Sequence, residues 1–172
     1  MIAWQFQQVT RQCLKTGVWS KVQRDPVNGK VNIACWNCGG LSTTTHRMCE
    51  ELQFDMWGLT EPHLVTPSSS RSFLTASAAP ADDRYSGVAM CLSPRMSKSL
   101  IYSSSNGARI LYARFRCKPV NISVVVIYIP TKSKKSPNQA DVYKQLRELL
   151  DNILRRDNII CMGDFNSRLC RN

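Results

Sequence analysis

The sequence contains no run of eighteen consecutive apolar residues, so it predicts no membrane-spanning helix. The segment Met1–Thr10 has neither a charged start nor a continuous apolar stretch, which argues against a secretory signal peptide. The chain also shows no internal repeat. These absences exclude membrane-spanning and repeat architectures, and we expect an intracellular protein that is not secreted.

A second C-x-x-C pair is also absent, although the chain has eight cysteines. Most of the cysteines lie in apolar, strand-like runs, where a free thiol behaves as a small hydrophobe. Cys35 and Cys38 form a single pair, which supplies only two of the four ligands that structural zinc needs. We therefore expect free thiols in a reducing compartment, with a redox or zinc role as the alternative.

Acidic residues are scarce relative to basic ones. The 172 residues include 23 Lys and Arg against 12 Asp and Glu, a formal net charge of +11, and 43% of them are apolar. The length predicts one domain with enough apolar residues for a packed core. A basic surface favours a polyanionic partner such as nucleic acid, although a solvated basic surface without a partner is equally consistent with this charge.

The hydrophobic pattern predicts an α/β (α+β) fold of one domain preceded by an extension. Residues 1–29 show no clear period and end in a turn cluster, so we interpret them as an N-terminal extension or linker and residues 30–172 as the domain. A helix is predicted over Ser42–Phe54, and a second runs from Ser136 through Leu154, with Arg155 and Arg156 at its C-terminal end. The predicted strands are Val31–Cys35, Asp55–Thr60, Ser72–Ala78, Ser86–Leu92, Lys98–Ser103, Arg109–Arg116, Asn121–Ile129 and Asn158–Met162.

The last predicted strand leads directly into Gly163, Asp164, Phe165 and Asn166. Gly163 permits a tight exit from the strand, and Asp164 and Asn166 lie two residues apart, so an extended backbone points both side chains the same way. A carboxylate beside a carboxamide suits a hard cation and a phosphate. The same residues are also ordinary turn formers.

Polar side chains follow three other predicted strands. Asn37 follows the first strand, Glu61 follows the second, and Tyr128 lies at the end of the apolar run Val124–Ile127. Each has a simpler interpretation, as a turn former, a solvated loop acid and an aromatic at the rim of a sheet. Because strand ends of one sheet can converge on one cleft, we predict that all three share a site with Asp164 and Asn166.

The order of these motifs resembles that of the endonuclease/exonuclease/phosphatase superfamily. The opening segment Ile33–Leu41 is similar to its WN-x-x-GL motif, and Gly58–Leu64 is similar to its metal-glutamate motif. Four further segments match in the expected order: Tyr85–Ala89, Gly107–Ile110, Ile127–Thr131 and Met162–Asn166. Together they cover about residues 31–168, and their character resembles the apurinic-type endonuclease domains of non-LTR retrotransposons and related genes.

This resemblance implies part of a four-layer α/β sandwich with mixed, largely antiparallel sheets flanked by helices. It also implies divalent-metal-dependent hydrolysis of DNA phosphodiesters in the nucleus rather than the cytoplasm. Glu61 would ligate Mg²⁺ or Mn²⁺ with support from Asn37, and Tyr128 would touch the scissile phosphate. Asp164 would orient or deprotonate the attacking water, and Asn166 would hydrogen-bond the phosphate. The alternatives are a catalytically inactive, basic nucleic-acid-binding remnant and a phosphatase of the same superfamily.

One motif of the superfamily is not matched. Its C-terminal Ser-Asp-His supplies a histidine that stabilises the transition state, whereas the histidines here are His46 and His63. The chain therefore resembles the N-terminal part of the domain, and we expect impaired turnover and a missing C-terminal portion of the same domain as a partner. A ligand role for His63 beside Glu61 is a less favoured alternative to a solvated side chain.

Four basic residues are predicted to contact the DNA backbone without sequence preference. Arg109 lies in the segment that leads into a matched strand pair, and the others form a basic loop after Tyr128: Lys132, Lys134 and Lys135. A solvated loop explains these lysines equally well. Binding that rests on phosphate contacts weakens steeply with salt.

Overall fold

The computed structural model describes residues 6–8, 27, 29–41, 54–64, 73–75, 87–131 and 139–166. Two helices lie in these ranges, α1 (Pro94–Ser99) and α2 (Gln139–Asn152). The same ranges hold nine strands: β1 (Phe6–Gln8), β2 (Ile33–Asn37), β3 (Met56–Thr60), β4 (Phe73–Thr75), β5 (Val88–Leu92), β6 (Leu100–Asn106), β7 (Ile110–Phe115), β8 (Ile122–Tyr128) and β9 (Asn158–Asp164). Neither helix is long and apolar enough to cross a membrane.

The strands form two mixed sheets. The first has the order β1-β2-β3-β5-β4, in which β1, β2 and β3 are parallel and β5 runs antiparallel to both of its neighbours. The second has the order β6-β7-β8-β9, with antiparallel pairs except for β9, which runs parallel to β8. The predicted α/β class with mixed sheets is confirmed. Parallel pairing matters for the site, because it brings the C-terminal ends of β2 and β3, and of β8 and β9, to common edges.

The two sheets pack face to face. Successive side chains of a strand point to opposite faces, so alternate residues of both sheets fill the space between them. Ile33, Met56 and Met90 of the first sheet share one buried cluster with Val124 and Val126 of the second. Burying apolar surface in this way stabilises the fold by roughly 25 cal/mol for each Å², and it fixes the sheets at a defined separation.

The outward-facing side chains of both sheets are also largely buried. Trp57 of the first sheet packs against Trp36 at 6.3 Å and edge-on against Phe54 at 4.9 Å between ring centroids. On the second sheet, the buried α2 residues Val142 and Leu146 join a cluster with strand residues that include Val125 and Ile127. The amphipathic pattern of α2 therefore places it as a layer on the second sheet.

Two arginine–aspartate pairs tie the ends of the strands that lie away from the candidate site. Asp55, just before β3, accepts from Arg95 at 2.7 and 3.1 Å. Asp157, just before β9, accepts from Arg114 at 2.5 and 2.9 Å and from the Ser123 hydroxyl at 2.9 Å. Each pair joins a loop to a neighbouring element, and paired hydrogen bonds of this kind are strong.

Several strands differ in extent from the prediction, and β6 for example runs from Leu100 to Asn106 instead of from Lys98 to Ser103. Two of the differences bear on the candidate site. The first predicted strand was Val31–Cys35, but β2 runs to Asn37, so Asn37 ends the strand instead of following it. The last was predicted to end at Met162 with Gly163 as its exit, but β9 continues to Asp164. A Cβ on Gly163 would lie 1.8 Å from the carbonyl oxygen of Ile127. Gly163 is therefore needed to let β9 pass close to β8, not to end the strand.

The helices also differ from the prediction. Helix α1 was missed, although Ser93 caps it by accepting from the Met96 amide at 3.3 Å and Pro94 occupies its first turn. Helix α2 ends at Asn152 and not at the predicted Leu154, so Arg155 and Arg156 stand beyond its C-terminal end and not at it. The predicted N-cap at Ser136 and nearly all of the predicted helix Ser42–Phe54 lie outside the described residues.

Part of the predicted N-terminal extension pairs with the rest of the chain. Phe6–Gln8 form β1 beside β2, and the buried Val27 forms an isolated bridge with Cys117. The amide of Val27 donates to the carbonyl of Arg116 at 2.9 Å. The division of the chain at residue 29 stays a prediction.

Candidate functional site

Strand ends from both sheets meet at one end of the sandwich. The carboxamide nitrogen Nδ2 of Asn37, the last residue of β2, donates to Oδ2 of Asp164, the last residue of β9, at 3.2 Å. The other end of that carboxamide, Oδ1, accepts from the Gly39 amide at 3.2 Å. The Asn37 side chain is thus held in one orientation, and its hydrogen bond to Asp164 links two positions that are 127 residues apart in the chain.

Tyr128 and Glu61 occupy the same end. Tyr128 is the last residue of β8 and is buried, and Glu61 directly follows β3. Burial raises the pKa of Tyr128 to about 12, and the charge of Glu61, a hydrogen bond to Glu61 and the charge of Asp164 act in the same direction. Both carboxylates therefore lie close enough to the phenol to act on it, and the phenol stays protonated at neutral pH.

Asn166 completes the support of Asp164. The Asn166 amide donates to Oδ1 of Asp164 at 3.0 Å, and its side-chain Nδ2 donates to the carbonyl oxygen of Ile129 at 2.8 Å. Each oxygen of the Asp164 carboxylate thus accepts one hydrogen bond from the protein. A carboxylate oxygen can accept a second, so the group is oriented and still able to bind a water or a cation.

Backbone strain is concentrated beside these residues. Among the described residues, three that are not glycine have a positive φ: Glu61 (53°), His63 (50°) and Asn166 (41°). Such a conformation costs of order 1–3 kcal/mol and recurs at functional sites. The His63 ring also lies close to Gly40, where a Cβ would come within 3.1 Å of its Nδ1. The loop that carries Glu61 therefore has a strained backbone conformation, which contacts with its neighbours maintain.

The structure thus brings together all five residues that the sequence placed in one site. One part of that prediction needs correction, because it assumed strand ends of a single sheet. Asn37 and Glu61 come from the first sheet, whereas Tyr128, Asp164 and Asn166 come from the second. The site lies between two sheets, and the roles of its residues stay predictions.

Of the four basic residues predicted to contact DNA, Arg109 lies within the described part of the chain. Arg109 is only 8% exposed, and its guanidinium carbon lies 5.4 Å from the centroid of the Tyr128 ring. It therefore belongs to the candidate site and not to an outer basic surface. Lys132, Lys134 and Lys135 lie outside the described residues.

The C-x-x-C pair points to opposite faces of the first sheet. Cys35 packs against the cluster between the sheets, whereas Cys38 belongs to the outer cluster and its Sγ lies 3.3 Å from the Thr60 carbonyl oxygen. Burial is the largest cause that raises the pKa of Cys35 to about 12. Two thiols on opposite faces are poorly placed to share a metal, and the expectation that neither binds zinc stays a prediction.

The sequence analysis did not identify Thr60 as a residue beside the candidate site. This residue is 1% exposed, shares the inward-facing set of β3 with Met56, and directly precedes Glu61. Its hydroxyl oxygen has no hydrogen-bond partner within the part of the chain that the structure describes. The alternation of β3 was the available signal, since it places residue 60 on the same face as residue 56.

The donor set at this end suits a hard cation that keeps most of its water. The described ranges contain no group of three or more His, Cys, Asp or Glu side chains that could hold a metal ion. Glu61 and Asp164 supply two carboxylates, and Asn37 and Asn166 supply carboxamides. Mg²⁺ is commonly bound through one or two carboxylates, several waters and substrate phosphates, so these residues fit such an ion better than zinc or calcium.

Comparison with known proteins gives a distant match. No protein-family model matches the chain. It is 24% identical over 152 residues to craniofacial development protein 2 of Bos taurus, a match that covers 82% of this chain and 24% of that protein. The protein of the same name from Tragulus javanicus is 23% identical over 152 residues, with 82% and 25% covered. The chain spans about a quarter of the length of these relatives.

Proposed function

We propose that the chain carries a divalent-metal-dependent phosphodiesterase site of the endonuclease/exonuclease/phosphatase superfamily that acts on DNA. The observation that carries the proposal is the contact between Asn37 and Asp164, which joins the ends of β2 and β9 beside Glu61 and Tyr128. The order of the six motifs and the distant similarity to craniofacial development protein 2 support the same assignment.

Each residue of the site has a role that its position suits. Glu61, supported by Asn37, would hold Mg²⁺ or Mn²⁺, and that ion would polarise a phosphoryl oxygen. Asp164 keeps free lone pairs on a carboxylate fixed by Asn37 and Asn166, so it can orient a water for in-line attack and accept its proton. Tyr128 stays protonated and can donate to the scissile phosphate, and Asn166 can donate its second side-chain N–H.

Turnover by these 172 residues is expected to be slow. They include no Ser-Asp-His motif, and loss of one preorganised stabiliser of transition-state charge costs about 10²–10³ in rate. The proposal therefore concerns the binding and positioning of metal, water and phosphate, and it predicts weak activity in place of none.

A second candidate is a basic protein that binds DNA without cutting it. The net charge of +11 favours it. Such a protein would bind the phosphate backbone with little sequence preference, and we propose the nucleus as its location. It needs no catalytic role for Glu61.

A plasmid-nicking assay separates these candidates. The purified 172-residue chain is incubated with supercoiled DNA in Mg²⁺, in Mn²⁺ and in EDTA, beside Glu61→Gln and the matched control Glu148→Gln on an exposed position of α2. Slow nicking that EDTA and Glu61→Gln abolish and Glu148→Gln retains supports the phosphodiesterase. Binding without nicking supports the second candidate. Metal-dependent release of phosphate from small phosphate esters, with DNA left intact, would point instead to a phosphatase.

A further inference from the structure

Arg109 contacts Tyr128 in two ways. It ends the turn between β6 and β7, and its carbonyl oxygen accepts from the Tyr128 amide at 2.9 Å. Its guanidinium carbon also lies 5.4 Å from the centroid of the Tyr128 ring. The backbone contact fixes where Tyr128 sits, and the side-chain contact lies within the range at which a cation is attracted to the face of an aromatic ring.

The burial of Arg109 makes a direct contact with DNA difficult. Only 8% of the residue is exposed, and a buried arginine in a protein is usually paired with neighbouring groups. Its surroundings favour a cation, because the electron-rich ring of Tyr128 lies beside it and the carboxylates of Glu61 and Asp164 act on the same tyrosine. A desolvated cation attracts an aromatic ring more strongly than an exposed one.

We propose that Arg109 is a positioning residue: it holds the Tyr128 ring so that the phenol faces Glu61 and an incoming phosphate, and it does not itself bind the DNA backbone. The inference rests on the proposed function for the use of the phenol, but the coupling of Arg109 to Tyr128 can be measured without catalysis. It replaces the sequence-based expectation that Arg109 contacts backbone phosphate.

Tyrosine-selective NMR tests the coupling directly. The chain is labelled with ¹³C at the Cζ atom of its five tyrosines, and the Tyr128 signal is assigned by its loss in Tyr128→Phe. Arg109→Met removes the cation and keeps an unbranched side chain, and Arg116→Met removes an exposed arginine just after β7 as the control. We expect Arg109→Met to move the Tyr128 signal alone, Arg109→Lys to restore it in part, and Arg116→Met to leave it in place.

An unmoved Tyr128 signal in a folded Arg109→Met variant overturns the proposal. If that variant does not fold, Arg109→Gln takes its place, because it keeps hydrogen-bonding capacity while removing the charge, and the same criterion applies. Salt dependence of DNA binding gives an independent check. A positioning role leaves the slope of log K against log salt unchanged in Arg109→Met, whereas loss of a phosphate contact lowers it by about 0.9.

These readouts separate the inference from the proposed function. A Tyr128 signal that follows Arg109 in a chain that never nicks DNA would support the positioning role and refute the phosphodiesterase. Nicking by a chain whose Tyr128 signal is unchanged in Arg109→Met would support the phosphodiesterase and refute the positioning role.

Discussion

Replacing Gly163 by alanine is the most demanding test of how the two parallel strands at the site are packed. Gly163 has a φ of 146°, and a Cβ at this position would lie 1.8 Å from the carbonyl oxygen of Ile127 and within 2.9 Å of its backbone carbon and nitrogen. Those contacts are with backbone, which cannot rotate aside as a flexible side chain can. One of the two strands must therefore move, and Asp164 is the next residue.

The expected cost has two parts. The backbone conformation costs a non-glycine residue about 1–3 kcal/mol, and forcing an extra carbon into a packed region costs about 1–3 kcal/mol more. The sum, about 2–6 kcal/mol, is a large share of the 5–15 kcal/mol typical of a folded domain. Gly107→Ala is the matched control, because Gly107 also has a positive φ, 61°, but a Cβ there would meet nothing within 4 Å. Its cost should be confined to the conformational part, about 1–2 kcal/mol.

Urea denaturation followed by far-ultraviolet circular dichroism measures both variants against the wild type. We expect Gly163→Ala to lower the free energy of unfolding by at least about 1 kcal/mol more than Gly107→Ala. Equal losses in the two variants would refute the close approach of β9 to Ile127 and, with it, the placement of Asp164 at the end of that strand.

Three further predictions concern charge and hydrogen bonding. Asn37→Ala and Asp164→Ala should show a coupling of about 1 kcal/mol in a double-mutant cycle of unfolding free energies; additive losses would contradict their contact. The hydrogen bond from Arg114 is the main cause that lowers the pKa of Asp157. Its contribution to stability is therefore present above about pH 4 and is lost as the pH falls further, and Asp157→Asn should weaken that pH dependence and cost about 3 kcal/mol at pH 7. Binding to duplex DNA should weaken at least about tenfold between 50 and 200 mM salt, as two or more phosphate contacts require; salt-independent binding would refute it.

Local patterns were sufficient to predict most strands. The apolar runs that became β3 and β8 stand out because both faces of those strands are buried. Helix α1 was also predictable from Ser93 and Pro94, a cap and first-turn pair, but it is only six residues long and no hydrophobic period marks it. Short helices depend on such end signals.

Local sequence patterns could not predict contacts between distant parts of the chain. Nothing local in Gly163 distinguishes a turn from a close approach, because the reason is the carbonyl of Ile127 on the neighbouring strand. The assignment of the strands to two sheets likewise depends on pairing, so the sequence placed the site on one sheet when it lies between two. The burial of Arg109 beside Tyr128 likewise depends on how the turn after β6 folds, which no local signal gives.

Binding of Mn²⁺, followed by electron paramagnetic resonance, tests the central claim most directly, since it needs neither turnover nor DNA. The wild-type chain, Glu61→Gln, Asp164→Asn and two exposed controls on α2, Glu148→Gln and Asp151→Asn, are titrated under the same conditions. We predict one Mn²⁺ per chain that Mg²⁺ displaces, with affinity lowered at least about tenfold in both site variants and unchanged in both controls. No saturable Mn²⁺ binding by the wild type, or equal affinity in all five proteins, would contradict a metal site at the junction of the two sheets.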